Sequence, residues 1–187
     1  DLSDFPDMFV RDGTLNPVII VGDRASSSDV IAQSNIILFF GKYLDKQIKG
    51  VAKLASETGN LNQNIISIGN PCHNDVSSKI MNYPQPCNKD FKEGKAVIRI
   101  YNNNPYIHVV VAGYSDKGTR EAVDVLTNYN NYGLSGNEFF IDVAEIKPIP
   151  DEKLENKEIE NEGTVMESEK QKIIEELNKK ISDKGKE

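Results

Sequence analysis

Two histidines and two cysteines are the only nitrogen and sulfur side chains in this sequence suited to metal ligation or nucleophile–base chemistry: Cys72, His73, Cys87 and His108. Taken together they could supply four zinc ligands. Two of them are chain neighbours and none forms a CxxC knuckle, which argues against a zinc site. A Cys72/His73 nucleophile–base dyad fails on geometry, because adjacent residues rarely aim their side chains at one another. His108 stands among valines in an apolar run and reads as a hydrogen-bonded structural residue. No Gly-x-Ser-x-Gly elbow occurs, and acid pairs such as Asp4/Asp7 and Asp151/Glu152 read as solvated surface. The expectation is a protein without catalytic residues, metal or cofactor, and so not an enzyme.

What remains is one candidate for ligand binding and one for covalent cross-linking. The turn Val21-Gly22-Asp23-Arg24-Ala25-Ser26-Ser27-Ser28-Asp29 runs from a strand into a helix, and helix N-termini at the carboxyl ends of strands attract anions. Gly22, Asp23 and Ser26, with Gly69 in a second strand-then-glycine turn, form the weak ligand candidate. The turn has neither the spaced glycines of a dinucleotide fingerprint nor the Gly-Lys-Ser/Thr of a P-loop, and Asp23 and Asp29 would repel a phosphate. Cys72 and Cys87, fifteen positions apart, fit one disulfide. Such a bridge would restrain its loop by about 3 kcal/mol and imply an oxidising compartment. The competing reading is two unrelated buried thiols in a reduced one.

The elements that must position these residues are patterned most strongly between Ala96 and Val143. Ala96–Tyr101 is β-rich, Asn102-Asn103-Asn104-Pro105 is turn chemistry, and Tyr106–Gly113 is a second, almost wholly apolar strand, so the two should pair as an antiparallel hairpin. Little polar alternation from Val109 to Ala112 means cover on both faces. Ser115 or Asp116 then caps a helix with Ala122, Val125, Leu126 and Tyr129 on one face, and Leu134–Val143 supplies a final edge strand. Earlier in the chain, Pro17–Gly22 is a short buried strand. Ser26 caps a helix with Asp29 at capping-box spacing, and from Asp29 to Leu44 that helix is apolar nearly all round, as if buried on several sides. Val51–Ala55 reads as a short amphipathic helix, Asn64–Pro71 as another strand, and Val76, Ile80 and Met81 as a helix between the cysteines. The whole is a three-layer α/β domain: a mixed, mostly parallel sheet with helices on both faces and one antiparallel hairpin.

Residues 1–16, with Phe5, Met8, Phe9 and Val10, form an N-terminal arm, and residues 17–145 form the α/β domain. Residues 146–187 form a charged linker and a C-terminal amphipathic helix. The stretch from Asp151 holds 12 of the 29 acids and 8 of the 22 bases, a compositional break at Pro148-Ile149-Pro150. Ser168 and Gln171 have capping-box spacing before the stripe Ile173, Ile174, Leu177 and Ile181, a helix docked on its own domain or frayed in solution, or else one contacting a neighbouring subunit.

A net charge of −7 without a Lys/Arg cluster, and no Trp, argue against nucleic acid as a partner. The longest strictly apolar run is Ile36–Phe40, far short of the roughly 20 residues that cross a bilayer, so no transmembrane segment is expected. No Asn-x-Ser/Thr acceptor occurs. The start at Asp1 without a Met reads as a mature or excised fragment.

Several stretches resemble a known family. Gly22-Asp23 with Ser28-Asp29-Val30-Ile31, Gly69-Asn70-Pro71-Cys72-His73-Asn74 with Cys87, and Glu93–Tyr101 are followed by Val110-Val111-Ala112-Gly113-Tyr114-Ser115, Thr119-Arg120, Val125-Leu126-Thr127-Asn128-Tyr129 and Leu134-Ser135-Gly136. This succession, from Pro17 to about Val143, resembles the S-layer-type domain of archaeal surface proteins. It is similar, more distantly, to bacterial cell-wall-binding repeats, which share the strand-Val-Gly-Asp opening. The resemblance implies a secreted, extracellular, non-enzymatic cell-surface protein with an oxidised cysteine pair, partnered by copies of itself or by neighbouring surface-protein domains. The alternative is an extracellular binding module that holds a cell-wall glycan or small ligand at the Gly22/Gly69 strand ends.

Overall fold

The computed structural model describes residues 1–145. In chain order these carry β1 (Val10–Arg11), β2 (Thr14–Leu15), β3 (Val18–Val21), α1 (Ser27–Leu44), β4 (Ala52–Leu54), β5 (Ile65–Ile68), α2 (Asp75–Ile80), β6 (Lys95–Asn103), β7 (Tyr106–Gly113), α3 (Asp116–Thr127) and β8 (Glu138–Asp142). β1 and β2 make a small separate ribbon. The others form one six-stranded sheet in the order β4-β3-β5-β7-β6-β8, parallel from β4 to β7 and antiparallel across β7-β6-β8. This is the expected mixed α/β architecture.

The expected hairpin forms with a tighter turn, because Asn102 and Asn103, read from sequence as turn residues, continue the β6 ladder. β6 and β7 pair from Ala96↔Gly113 to Asn103↔Tyr106, leaving Asn104-Pro105 as the turn. Because successive side chains alternate faces, Ile19, Val21, Ile66, Ile68, Val109 and Val111 share one face. There they meet Ala32, Ile36 and Phe40 of α1 and Ala122, Val125 and Leu126 of α3. The other face carries Ile20 and Ile65 against Val76 of α2, and Val97, Val110 and Ala112 against Phe91. Helices therefore lie on both faces.

The arm belongs to the first of these cores. Leu2, Phe5 and Phe9 are all buried, and the Phe5 ring sits 5.5 Å from the rings of both Phe39 and Tyr129. Leu2 donates its backbone N–H to the Gly136 carbonyl at 2.7 Å, tying the arm to the approach of β8.

Two expectations need correction. Val51–Ala55 is not a helix: Ala52–Leu54 is a parallel edge strand in register with Ile19–Val21, followed by a short 3-10 turn at Ala55–Glu57. So few residues cannot nucleate a helix on their own, whereas β3 offers a ready ladder. Gln33 of α1 reinforces the choice by donating to the carbonyls of Ile19 (2.7 Å) and Lys53 (3.3 Å), one on each strand. Nor is α1 covered all round. Ala32, Gln33, Ile36 and Phe40 face inward, but Val30, Ile31 and Leu38 are 45%, 46% and 62% exposed. An outer-layer helix meets the sheet on one side only, however apolar its other side. The proposed C-terminal helix and its stripe Ile173, Ile174, Leu177 and Ile181 lie outside the described residues.

Candidate functional site

α1 leaves β3 toward one face of the sheet and α2 leaves β5 toward the other, so the carboxyl ends of these neighbouring strands form a topological switch point. In open α/β sheets that crevice is where ligands bind. Gly22 ends β3 and Gly69 ends β5, and the fold does bring the two sequence candidates to this one place.

The crevice is occupied by the chain itself. The backbone at Gly22 lies so close to the Gly69–Asn74 loop that a Cβ there would stand 1.8 Å from the His73 carbonyl oxygen and 2.9 Å from the Asn74 Cα. That loop is held from several sides. The buried Asn74 amide nitrogen donates to the carbonyls of Ile68 (2.8 Å) and Ile20 (3.4 Å) and to the Ser67 hydroxyl (3.1 Å). Its oxygen accepts from the backbone of Val76 and Ser77, capping α2. Asn70 donates to the Gly113 carbonyl at 3.2 Å and accepts from the Cys72 N–H. Cys72 is disulfide-bonded to Cys87, with their Cα atoms 5.1 Å apart, so the cysteine pair is oxidised and anchors the far end of the same loop.

Each residue of the sequence candidate has an internal partner. The Asp23 carboxylate accepts from the Ser56 N–H (2.9 Å) and from its hydroxyl, fastening the β3 turn to the end of β4. Ser26 caps α1 by accepting from the Asp29 N–H at 3.3 Å. Gly69 adopts φ +100°, a conformation that L side chains rarely take. His108 is buried, with Nε2 3.0 Å from the Leu61 carbonyl oxygen, and burial lowers its pKa from the usual histidine value.

Asp29, read from sequence only as half of a capping box, is the unexpected member. The residue is 3% exposed, and its buried Oδ1 has no hydrogen-bond partner. Burial, and secondarily the charge of Asp116, push its pKa from 3.8 up to about 6, against the downward pull of Ser26 and His73. Ordinary capping-box periodicity gives no signal of this, because the burial comes from the loop around Gly69. The sign of the linkage follows: the folded protein takes up this proton before the unfolded chain does. The stability contributed by this group is therefore greatest below the unfolded value of 3.8, falls as pH rises toward about 6, and is absent above. Asp29→Asn is expected to erase that contribution, making the protein about 3 kcal/mol more stable than wild type at about pH 8 and little different at about pH 3.5. Urea midpoints across that range test it, and parallel curves for the two proteins would refute it.

A second concavity, not anticipated from sequence, lies over β6 and β8 on the same face of the sheet as α2. It is a groove of about 530 Å³ lined by Phe91, Lys95, Val97, Phe140, Asp142 and Glu145 among others. Phe140 is 60% exposed, and the Arg99 guanidinium lies 5.8 Å from its ring centroid while pairing with Glu138 at 2.8 Å. Lys95 pairs with Asp142 at the rim and holds that carboxyl below the usual carboxylate range. A signal for it was present in Phe139-Phe140, since adjacent residues of one strand must face opposite sides of the sheet.

Among the described residues, no group of three or more His, Cys, Asp or Glu side chains is placed to hold a metal ion. No helix among them is long and apolar enough to cross a membrane.

No protein-family model matches the chain, and no curated protein matches it. Among solved structures, one titled "Structure of CpGH84D" is similar at a TM-score of 0.39 and 14% identity, over 66% of this chain and 20% of that one.

Proposed function

We propose that this domain is a non-catalytic surface-layer-type module of an exported protein, acting through contacts with copies of itself or with neighbouring surface proteins. The observation that carries the reading is the state of the switch-point crevice. Where an α/β enzyme or nucleotide-binding protein keeps an opening, this chain packs its own disulfide-anchored loop against Gly22. The result is a rigid body whose outward features are an apolar helix side at Val30, Ile31 and Leu38 and an aromatic sheet edge at Phe140. A bridged cysteine pair suits an oxidising compartment, and the family likeness of the sequence points the same way.

A second reading, an extracellular module for a cell-wall glycan or small ligand, draws its support from the groove beside Phe140 rather than from the Gly22/Gly69 ends. An exposed ring flanked by ion-paired carboxylates and cations can stack on a sugar face and hydrogen-bond its hydroxyls. Electron microscopy of the concentrated protein, paired with thermal melting in the presence of cell-wall oligosaccharides, separates the two. Ordered sheets or filaments are the expected result. A monodisperse monomer whose melting temperature rises with glycan would overturn the surface-layer reading and favour the second.

A further inference from the structure

We propose that the outer edge of β8 is a strand-addition site for another polypeptide, taking an extended segment in which an apolar residue has Lys or Arg two positions away on either side. Such a site deepens the surface-layer reading by naming the chemistry of a neighbour's contact segment, and rests on that reading for its biological setting.

The backbone of β8 is open along its outer side. Ile100 donates its N–H to the Asn137 carbonyl at 2.7 Å, and Val143 donates to the Gly94 carbonyl at 2.9 Å. These two bonds fix the alternation along the strand: Phe139 and Ile141 turn their N–H and C=O groups toward β6, while Glu138, Phe140 and Asp142 turn theirs away. The Asp142 carbonyl accepts from the Glu145 N–H at 3.0 Å. The N–H and C=O of Glu138 and Phe140 and the N–H of Asp142 have no backbone partner among the described residues. Such a row is a template for one more strand. The opposite edge of the sheet is closed by its own chain: Leu54 of β4 donates its N–H to the Glu57 carboxylate at 2.8 Å, and its C=O accepts from the Thr58 hydroxyl at 3.3 Å.

The side chains specify the strand that fits. On one face, the register aligns Ala112, Val97 and Phe140 in a row, flanked by a row of Val110, Arg99 and Glu138 and by the pair Lys95 and Asp142. Ala112 and Val97 are buried but Phe140 is 60% exposed, so the apolar row ends one strand short of cover. The groove lined by Phe91, Val97 and Phe140 lies there to receive an apolar side chain.

In the flanking positions a cation of β6 already meets an acid of β8, and the next position outward suits a second cation. It would lie about 4.8 Å from Glu138 or Asp142 but about twice that from Arg99 or Lys95, so attraction to the nearer charge wins. The other charged residues lining the groove are Asp90 and Glu145 against Lys92, an excess of one acid.

The same acids turn away a second copy. Antiparallel pairing of two β8 strands about Phe140 would set Glu138 of each against Asp142 of the other, and like charges directly opposite destabilise a sheet. The β4 edge of another copy offers no open backbone at Leu54. The occupant is therefore a basic–apolar–basic strand of a different protein.

The test uses the full chain and the capped peptide Thr-Lys-Thr-Val-Thr-Lys-Thr, followed by NMR. Saturating peptide is expected to slow amide hydrogen exchange at Glu138, Phe140 and Asp142, with little change at Phe139 and Ile141, which already bond to β6. Replacing both lysines of the peptide by glutamate is expected to weaken binding about tenfold. For an antiparallel strand, N-methylation of the two lysines and the valine removes the donors that face β8 and should abolish binding, whereas N-methylation of the two inner threonines should not. Equal effects of the two N-methylations, equal affinity for the lysine and glutamate peptides, or a groove that takes cell-wall oligosaccharide and no peptide would each overturn the strand-addition site. If the peptide fails while wild-type protein forms ordered sheets, the surface-layer reading survives through other faces. If the peptide binds as expected while wild-type protein never forms an array, the edge site stands and the surface-layer reading falls.

Discussion

Gly22→Ala is expected to cost on the order of 4 kcal/mol or more, enough to leave a domain of ordinary stability largely unfolded. The added methyl would stand 1.8 Å from the His73 carbonyl oxygen and 2.8 Å from its carbon. Both are backbone atoms, so no side-chain rotation relieves the clash. Retreat of the loop would break the bonds from Asn74 to Ile20, Ser67 and Ile68, which are buried and have no water to replace them. Gly59→Ala is the control: nothing lies within 4 Å of its Cβ position, and the expected change is within about 0.5 kcal/mol. Urea unfolding followed by circular dichroism measures both. The experiment also addresses function, because a glycine kept for the approach of a ligand would tolerate alanine in the unliganded protein and lose only binding. A G22A protein as stable as wild type would mean that the crevice is open in solution.

Removing the Cys72–Cys87 bridge, by reductant or by the double change Cys72→Ala/Cys87→Ala, is expected to cost about 3 kcal/mol from the chain-entropy cost of a loop of this length. The bridge spans a sequence separation of 15 and encloses α2, whose Val76 seals the second core against Ile20 and Ile65. It also restrains the loop that fills the switch point. Without it, amide hydrogen exchange should accelerate first at Val76 and Ser77, whose N–H groups are capped by Asn74, and the urea midpoint should fall. Matching midpoints with and without reductant would show that packing alone holds this loop, and the bridge would then say little about the compartment in which the protein works.

Much of the domain was legible before any coordinates because the signals are local. Alternation and turn residues define the β6–β7 hairpin, since pairing there needs only neighbours in sequence. Ser26 and Ser115 announce α1 and α3 because a cap bonds N–H groups two or three residues on, as both do here. The switch point could be located from the two strand-then-glycine turns. What could not be read was what fills it: Gly22 and His73 are 51 positions apart, and nothing in either stretch encodes the other's approach.

The sequence by itself determined the strands β3, β5, β6 and β7, the helices α1, α2 and α3, the pairing of β6 with β7 and the candidacy of Cys72 and Cys87 as partners, because each depends on bonding and periodicity within a short window. The tertiary structure alone decided four things: that Ala52–Leu54 joins β3 as a strand, that one apolar side of α1 faces outward, that Asp29 is buried without a partner for Oδ1, and that the ligand crevice is closed. Each turns on which distant surface arrives to cover a residue. Apolar or polar character sets the free energy of being covered, but only the packing of remote elements determines whether the cover is there.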